Sequence, residues 1–232
     1  MGNFRFKQFE IEQDRCAMKV GTDGVLLGAW AQGGRRILDI GSGTGLISLM
    51  MAQRFPEAEV VGIDMDADAC GQARENVMAS PFRDRVEIEC CRLQDFGGAG
   101  VFDAIVSNPP FFVDSLKNPD SKRMMARHTD SLPFRDLFAG VKRLLSDDGI
   151  FSAIVPVEVV EQFVAESCIL GFYLIRKCGV KTVVRKQPKR FMLSFAKHRI
   201  SPYEEHVETM MDSRGNRSEW YRKITEEFYL SE

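Results

Sequence analysis

Apolar residues along this chain fall into short runs separated by amphipathic stretches, the pattern of a parallel sheet whose strands are buried on both faces beneath helices. After a β-like opening, with Phe4, Phe6, Phe9 and Ile11 set among polar residues, Arg36 to Ile40 reads as a strand and Leu46 to Arg54 as a helix. Glu59 to Asp64 reads as a second strand, and Asp66 or Asp68 can cap a helix running to about Ala79. Val86 to Cys91 and Phe102 to Val106 are the third and fourth strands. A polar and basic loop then runs to Leu132, followed by a helix from Pro133 to Leu145, a break at Gly149 and a strand from Ile150 to Val155. A helix from Val157 to Leu170, strands at Phe172 to Arg176 and Arg190 to Ala196, and a last helix capped by Ser218 complete the pattern. The alternation predicts one α/β domain over residues 1–232. It has a β-like extension at 1–33, a core at 34–199 and an acidic, helical segment at 200–232.

Composition narrows the class. With 44% hydrophobic and 28% charged residues the chain can bury a core, and no run reaches the roughly 18 apolar residues of a membrane span. The start lacks the apolar stretch of a secretory signal, so a cytoplasmic protein is expected. Six cysteines form no C-x-x-C pair and only three histidines could join them, so no metal site is expected and the thiols read as reduced and mostly buried. The net charge of −2 conceals a segregation. Arg176 to Arg199 holds nine Lys or Arg and no acid, whereas Glu204 to Glu232 holds eight acids and four bases.

Candidate chemistry begins with Asp39-Ile40-Gly41-Ser42-Gly43-Thr44-Gly45, placed after a strand and before a helix, where ligands bind at the carboxyl ends of parallel strands. Gly41, Gly43 and Gly45 let backbone approach a ligand, and the following helix offers free amides. The G-x-G-x-G spacing departs from the G-x-G-x-x-G of dinucleotide folds. Asp64 ends the next strand about 20 residues on, where a carboxylate can accept both ribose hydroxyls, which points to an adenosine-containing ligand. Asp95, after the third strand, would lie beside the same pocket and could accept from an adenine amine.

Asn108-Pro109-Pro110-Phe111 follows the fourth strand and should open at the same sheet edge. An exocyclic aryl amine or amide nitrogen is a poor nucleophile, so a catalyst should hold its N–H groups as it pyramidalises. The Asn108 side-chain oxygen and the Pro109 carbonyl suit that task, Pro109 and Pro110 stiffen the turn, and Phe111 offers a face for base stacking.

These residues resemble class I methyltransferases that carry D-I-G-x-G-T-G and N-P-P-F and modify amino nitrogens. Arg15 to Trp30 is similar to the amino-terminal motif of the bacterial valine-tRNA adenine-N6 methyltransferases, and Ala126-Arg127-His128-Thr129 and Lys189-Arg190-Phe191 are similar to later parts of that family. The resemblance implies a Rossmann-like, seven-stranded, mostly parallel sheet with an antiparallel last strand and helices on both faces. It implies S-adenosyl-L-methionine as cofactor, held by Lys19, Thr22, Asp23, Asp39, Gly41, Gly43, Gly45, Asp64, Asp95 and Asn108, with Lys19 to Asp23 folding over its methionine end. The substrate implied is tRNA, methylated at the adenosine 3′ of the anticodon. Arg127, Arg185, Lys186, Lys189 and Arg190 are the candidate RNA contacts, and His128 reads as structural or as lining the cleft. Guanine-N2 methylation of ribosomal RNA and glutamine methylation of release factors are the neighbouring chemistries. An NAD-dependent oxidoreductase and a noncatalytic RNA-binding module are the readings from other classes. The basic run favours RNA, although strand alternation could scatter its charges over two faces. Nothing in the sequence indicates oligomeric state.

Overall fold

The computed structural model describes residues 3–16, 19–97, 101–110 and 132–230. The opening is a two-stranded antiparallel hairpin, β1 (Phe4–Arg5) and β2 (Glu10–Ile11), followed by helix α1 (Thr22–Trp30). The sheet and its helices then come in the order β3 (Arg36–Ile40), α2 (Leu46–Arg54), β4 (Glu59–Asp64), α3 (Ala67–Ala79), β5 (Val86–Cys90), β6 (Phe102–Ser107), α4 (Phe134–Leu144) and β7 (Leu145–Pro156). A 3₁₀ turn leads into α5 (Val160–Ile169), and β8 (Tyr173–Val183), β9 (Arg190–Ala196), β10 (Glu204–Met211) and α6 (Glu219–Thr225) complete the chain.

Side chains alternate across the strands, so each strand feeds two cores. Ile37 of β3 points to the layer holding α1, α2 and α3, and Leu38 points to the layer holding α4 and α5. The second layer is built on rings: Phe138 of α4 meets Phe151 of β7 edge-on at 5.4 Å and Phe195 of β9 at 5.3 Å. In the first layer α1 lies tight on α2 because Gly24 and Gly28, four apart on one helix face, leave room for Leu46 and Met50. A Cβ at Gly28 would stand 2.7 Å from the Met50 sulfur. The expected caps are present, Asp66 accepting from Asp68 and Ala69 amides and Ser218 from the Tyr221 amide.

Among the described residues the main sheet has eight strands in the order β10-β8-β9-β7-β6-β3-β4-β5, and β9 is antiparallel to both of its neighbours. The α/β, mostly parallel architecture with helices on both faces is as expected, but the count of seven is corrected by β10, which pairs parallel to β8. The segment after residue 200, expected to be helical, contributes this strand first. Its Glu-rich sequence hid it, since an edge strand needs little apolar surface. Its register sets opposite charges side by side: Glu204 pairs with Arg176 at 3.2 Å and Glu205 with Lys177 at 2.8 Å. Strand β8 also runs to Val183 instead of Arg176, and the expected β-like extension contains the α1 helix. Of the cysteines, Cys16, Cys70 and Cys178 are buried, Cys90 and Cys168 are exposed and Cys91 is intermediate, so burial of the thiols is less general than expected. Among the described residues no helix is long and apolar enough to cross a membrane, and no cluster of His, Cys, Asp or Glu is placed to hold a metal.

Candidate active site

Parallel pairing aligns the strand ends, with Asp64 opposite Cys90 and Ile40 opposite both Ile63 and Ser107. Gly41, Met65, Cys91 and Asn108 therefore emerge along one edge. The chain turns there because Gly41, Gly43 and Gly45 adopt φ of 75°, 53° and 80°, a region that costs other L-residues roughly 1–2 kcal/mol each. A Cβ on Gly41 or Gly43 would meet nothing within 4 Å, so the loop presents open space above bare backbone.

The Asp64 carboxylate is locked in place: Oδ2 accepts the Gly43 amide at 2.9 Å and Oδ1 accepts the Asp66 amide at 3.0 Å. Each oxygen keeps a lone pair for a further donor, as ribose hydroxyls require. Asp95 is exposed in the turn after β5, and Arg143 holds that turn by donating to the Leu93 and Phe96 carbonyls at 2.8 and 2.7 Å.

One oxygen of Asp39 is taken up inside the fold. The residue is 0% exposed, and its Oδ2 accepts the Ser48 hydroxyl at 2.7 Å, bracing the start of α2 from behind the loop. Burial pushes its carboxyl up to about 7 against the opposing pull of the Ser48 bonds. A carboxyl whose folded pKa exceeds its unfolded value near 3.8 contributes stability fully below pH 4 and loses it as pH rises toward 7. Asp39→Asn is accordingly expected to remove this loss, so its Tm relative to wild type should improve from pH 5 to pH 8. An equal offset at both pH values in thermal melts would refute the assignment.

Among the described residues three buried polar atoms along this edge have no hydrogen-bond partner: Asp39 Oδ1, Ser42 Oγ and Asn108 Oδ1. Leaving such an atom unsatisfied costs about 1–3 kcal/mol. Native chains keep such atoms where a ligand or water supplies the missing donor. The open glycine cradle, the ribose-ready carboxylate and these orphaned acceptors fit an adenosine ligand bearing an ammonium group, with a substrate amine beside Asn108. Pro109 is buried and Pro110 exposed on the turn that follows. Phe111, Arg127 and His128 lie outside the described residues.

The amino-terminal arm reaches this site along the polar face of α3, through residues the sequence reading passed over. Asn76, 2% exposed, accepts the Glu12 amide and donates to the Glu12 carbonyl and to the Thr44 carbonyl of the glycine loop, each at 2.9 Å. Gln72, one turn earlier, accepts the Arg15 amide at 3.3 Å. The available signal was a pair of amide side chains four apart on a helix, a spacing that places both on one face. The arm brings Cys16 beside Asp64 and Asp66, and burial together with those two carboxylates pushes its thiol up to about 11. The Lys19 ammonium donates to the Gln13 carbonyl within the arm. Thr22 opens α1, and Asp23 is bound to Arg190 at 2.7 Å.

The basic run is divided by its partners. Arg176 and Lys177 face β10 acids, Lys197 pairs with Asp147 at 3.2 Å and Arg190 with Asp23. Among the described residues Lys181, Arg185, Lys186 and Lys189 make no ion pair, and the last three are exposed. They lie on or beside the β8–β9 turn, whose base is at the reaction edge because Arg190 is opposite Pro156, the end of β7.

A methyltransferase small domain family model matches residues 20–132. Two relatives named tRNA1(Val) (adenine(37)-N6)-methyltransferase, from Bacteroides thetaiotaomicron and Phocaeicola vulgatus, are 46% and 49% identical, each over 98% of this chain and 97% of the relative. A solved predicted O-methyltransferase from Agrobacterium tumefaciens has the same fold at a TM-score of 0.70 and 16% identity, over 89% of this chain and 96% of that one. The TYW2 protein of Pyrococcus horikoshii, solved with MeSAdo, superposes at 0.57 and 16% identity, over 82% and 69% of the two chains. On the near full-length identity to its relatives, the chain belongs to the family of S-adenosylmethionine-dependent tRNA1(Val) (adenine(37)-N6)-methyltransferases.

Proposed function

We propose that this chain methylates N6 of adenosine 37 in valine tRNA. The observation that carries the reading is the 46–49% identity to relatives of that name over 98% of the chain. Gly41, Gly43, Gly45 and Asp64 would hold S-adenosylmethionine, which supplies an electrophilic methyl group when bound. The target adenine would lie at the turn after β6, where Asn108 Oδ1 and the Pro109 carbonyl accept the two N6 hydrogens. Support for this placement comes from Asn108 Oδ1, buried without a hydrogen-bond partner among the described residues. Acceptance of those hydrogens favours the pyramidal nitrogen over the planar one, and with the amine aligned on the methyl group no strong general base is required.

Arg185, Lys186 and Lys189 on the β8–β9 turn are the RNA contacts this reading selects, since their charges are unmatched among the described residues and stand at the reaction edge. Replacing all three by Ala is expected to lower the slope of log affinity against log salt by about 2–3, at roughly 0.7–0.9 per phosphate contact. An unchanged slope would show that the tRNA lies elsewhere. The function itself is tested by incubating the protein with S-adenosylmethionine and unmodified valine tRNA, then locating the product by nucleoside mass spectrometry. N6-methyladenosine at position 37 is expected. Methylation of guanine N2, or of a protein glutamine with the tRNA untouched, overturns the reading.

A further inference from the structure

Two residues read as belonging to different sites are bound to each other. Asp23 stands in the first turn of α1, the helix beside the glycine loop. A Cβ on the next residue, Gly24, would be 3.0 Å from Leu46, the residue that follows Gly45. Arg190 opens β9 directly after the basic turn. The Arg190 Nε donates to Asp23 Oδ2 at 2.7 Å across 167 residues of sequence, with the two side chains only 35% and 25% exposed. Arg190 Nη1 also donates to the Lys189 carbonyl at 3.0 Å, and the Lys189 carbonyl accepts the Val157 amide at 3.1 Å, so the ion pair is anchored to the base of the turn.

We propose that Asp23 and Arg190 are positioning residues that couple the cofactor loop to the RNA-contacting turn, so that cofactor and tRNA each tighten binding of the other. The proposal rests on the tRNA reading above. The physical route is ordering. A ligand over the glycine loop would restrain the start of α1, whose N-cap Gly21 has no side-chain cap, and RNA on Arg185, Lys186 and Lys189 would restrain the turn that leads into β9. Because the ion pair joins these segments, the first ligand bears part of the ordering entropy that the second would otherwise bear. A pair that is mostly shielded from solvent is screened less by salt than the exposed bases on the turn, so the link persists while RNA contacts form.

The test measures affinity for S-adenosylhomocysteine by calorimetry with and without saturating valine tRNA transcript. In the wild type the tRNA is expected to tighten binding about tenfold, and linkage requires the same factor for tRNA in the presence of S-adenosylhomocysteine. Arg190→Gln, Asp23→Arg alone and Arg190→Asp alone are each expected to bring the factor close to one, and the combined swap Asp23→Arg with Arg190→Asp to restore it. A purely structural loss would not be repaired by exchanging the two charges. Single variants that keep the wild-type factor, or a folded swap that remains uncoupled, overturn the proposal. Should the swap fail to fold, Arg190→Lys replaces it: retained enhancement supports the link, and a factor no better than that of Arg190→Gln overturns it. A wild-type protein that binds both ligands independently removes the coupling alone, whereas one that binds no tRNA removes the functional reading with it.

Discussion

The Asn108→Ala protein is expected to bind S-adenosylmethionine as the wild type does and to lose on the order of 10²-fold or more in kcat, the loss typical of removing one preorganised group from a charge-stabilising site. The same substitution should leave Tm unchanged or raise it, because it deletes a buried acceptor that has no partner among the described residues. That combination separates a catalytic role from a structural one. A merely structural Asn would lower stability and activity together. Asn108→Asp keeps an oxygen that can accept from the amine and should retain more activity than Asn108→Ala. Single-turnover methylation of valine tRNA, paired with thermal melts, decides the matter. A folded Asn108→Ala protein that reacts at the wild-type rate returns the N-P-P turn to the status of a bend in the chain.

Replacing Asp64 should act on the other side of the reaction. Its two oxygens hold the amides of Gly43 and Asp66 and retain lone pairs for ribose hydroxyls. Hydrogen bonds to a charged group contribute about 1.5–3 kcal/mol each. Loss of the pair to ribose should therefore weaken S-adenosylmethionine and S-adenosylhomocysteine by about 10²- to 10⁴-fold at about 1.4 kcal/mol per tenfold. Asp64→Ala also frees the Gly43 amide, so the glycine loop loses its brace and kcat is expected to fall as well. Asp64→Asn, which keeps one accepting oxygen, should lie between. Calorimetry with S-adenosylhomocysteine is the direct measurement, and wild-type affinity in Asp64→Ala would mean that the ribose is held by other groups.

Local rules carried a large part of this molecule. The strand, glycine loop and helix at 36–54, the carboxylate ending β4, the turn after β6 and the caps at Asp66 and Ser218 were legible because each depends on residues a few positions apart. A positive φ calls for glycine, a free helix amide calls for a short acceptor, and buried parallel strands are written as apolar runs. Such signals need no knowledge of what packs against them.

Other features depended on segments meeting across the fold. The strand Glu204–Met211 forms by pairing along β8, which sets Arg176 and Lys177 opposite Glu204 and Glu205 and removes two charges from what the sequence presents as a single basic run. Asp39 is written in the same motif as Gly41, yet the packing of α2 on β3 places its carboxyl behind the loop with Ser48, where burial changes its protonation. Asn76 joins the arm to the glycine loop, and Asp23 meets Arg190 from 167 residues away. Spacing along the chain fixed which residues can turn, cap and alternate, because those are short-range sterics and hydrogen bonds. Which charge meets which, and which polar atom is left without a partner, was decided only when the sheet closed and removed water from between them.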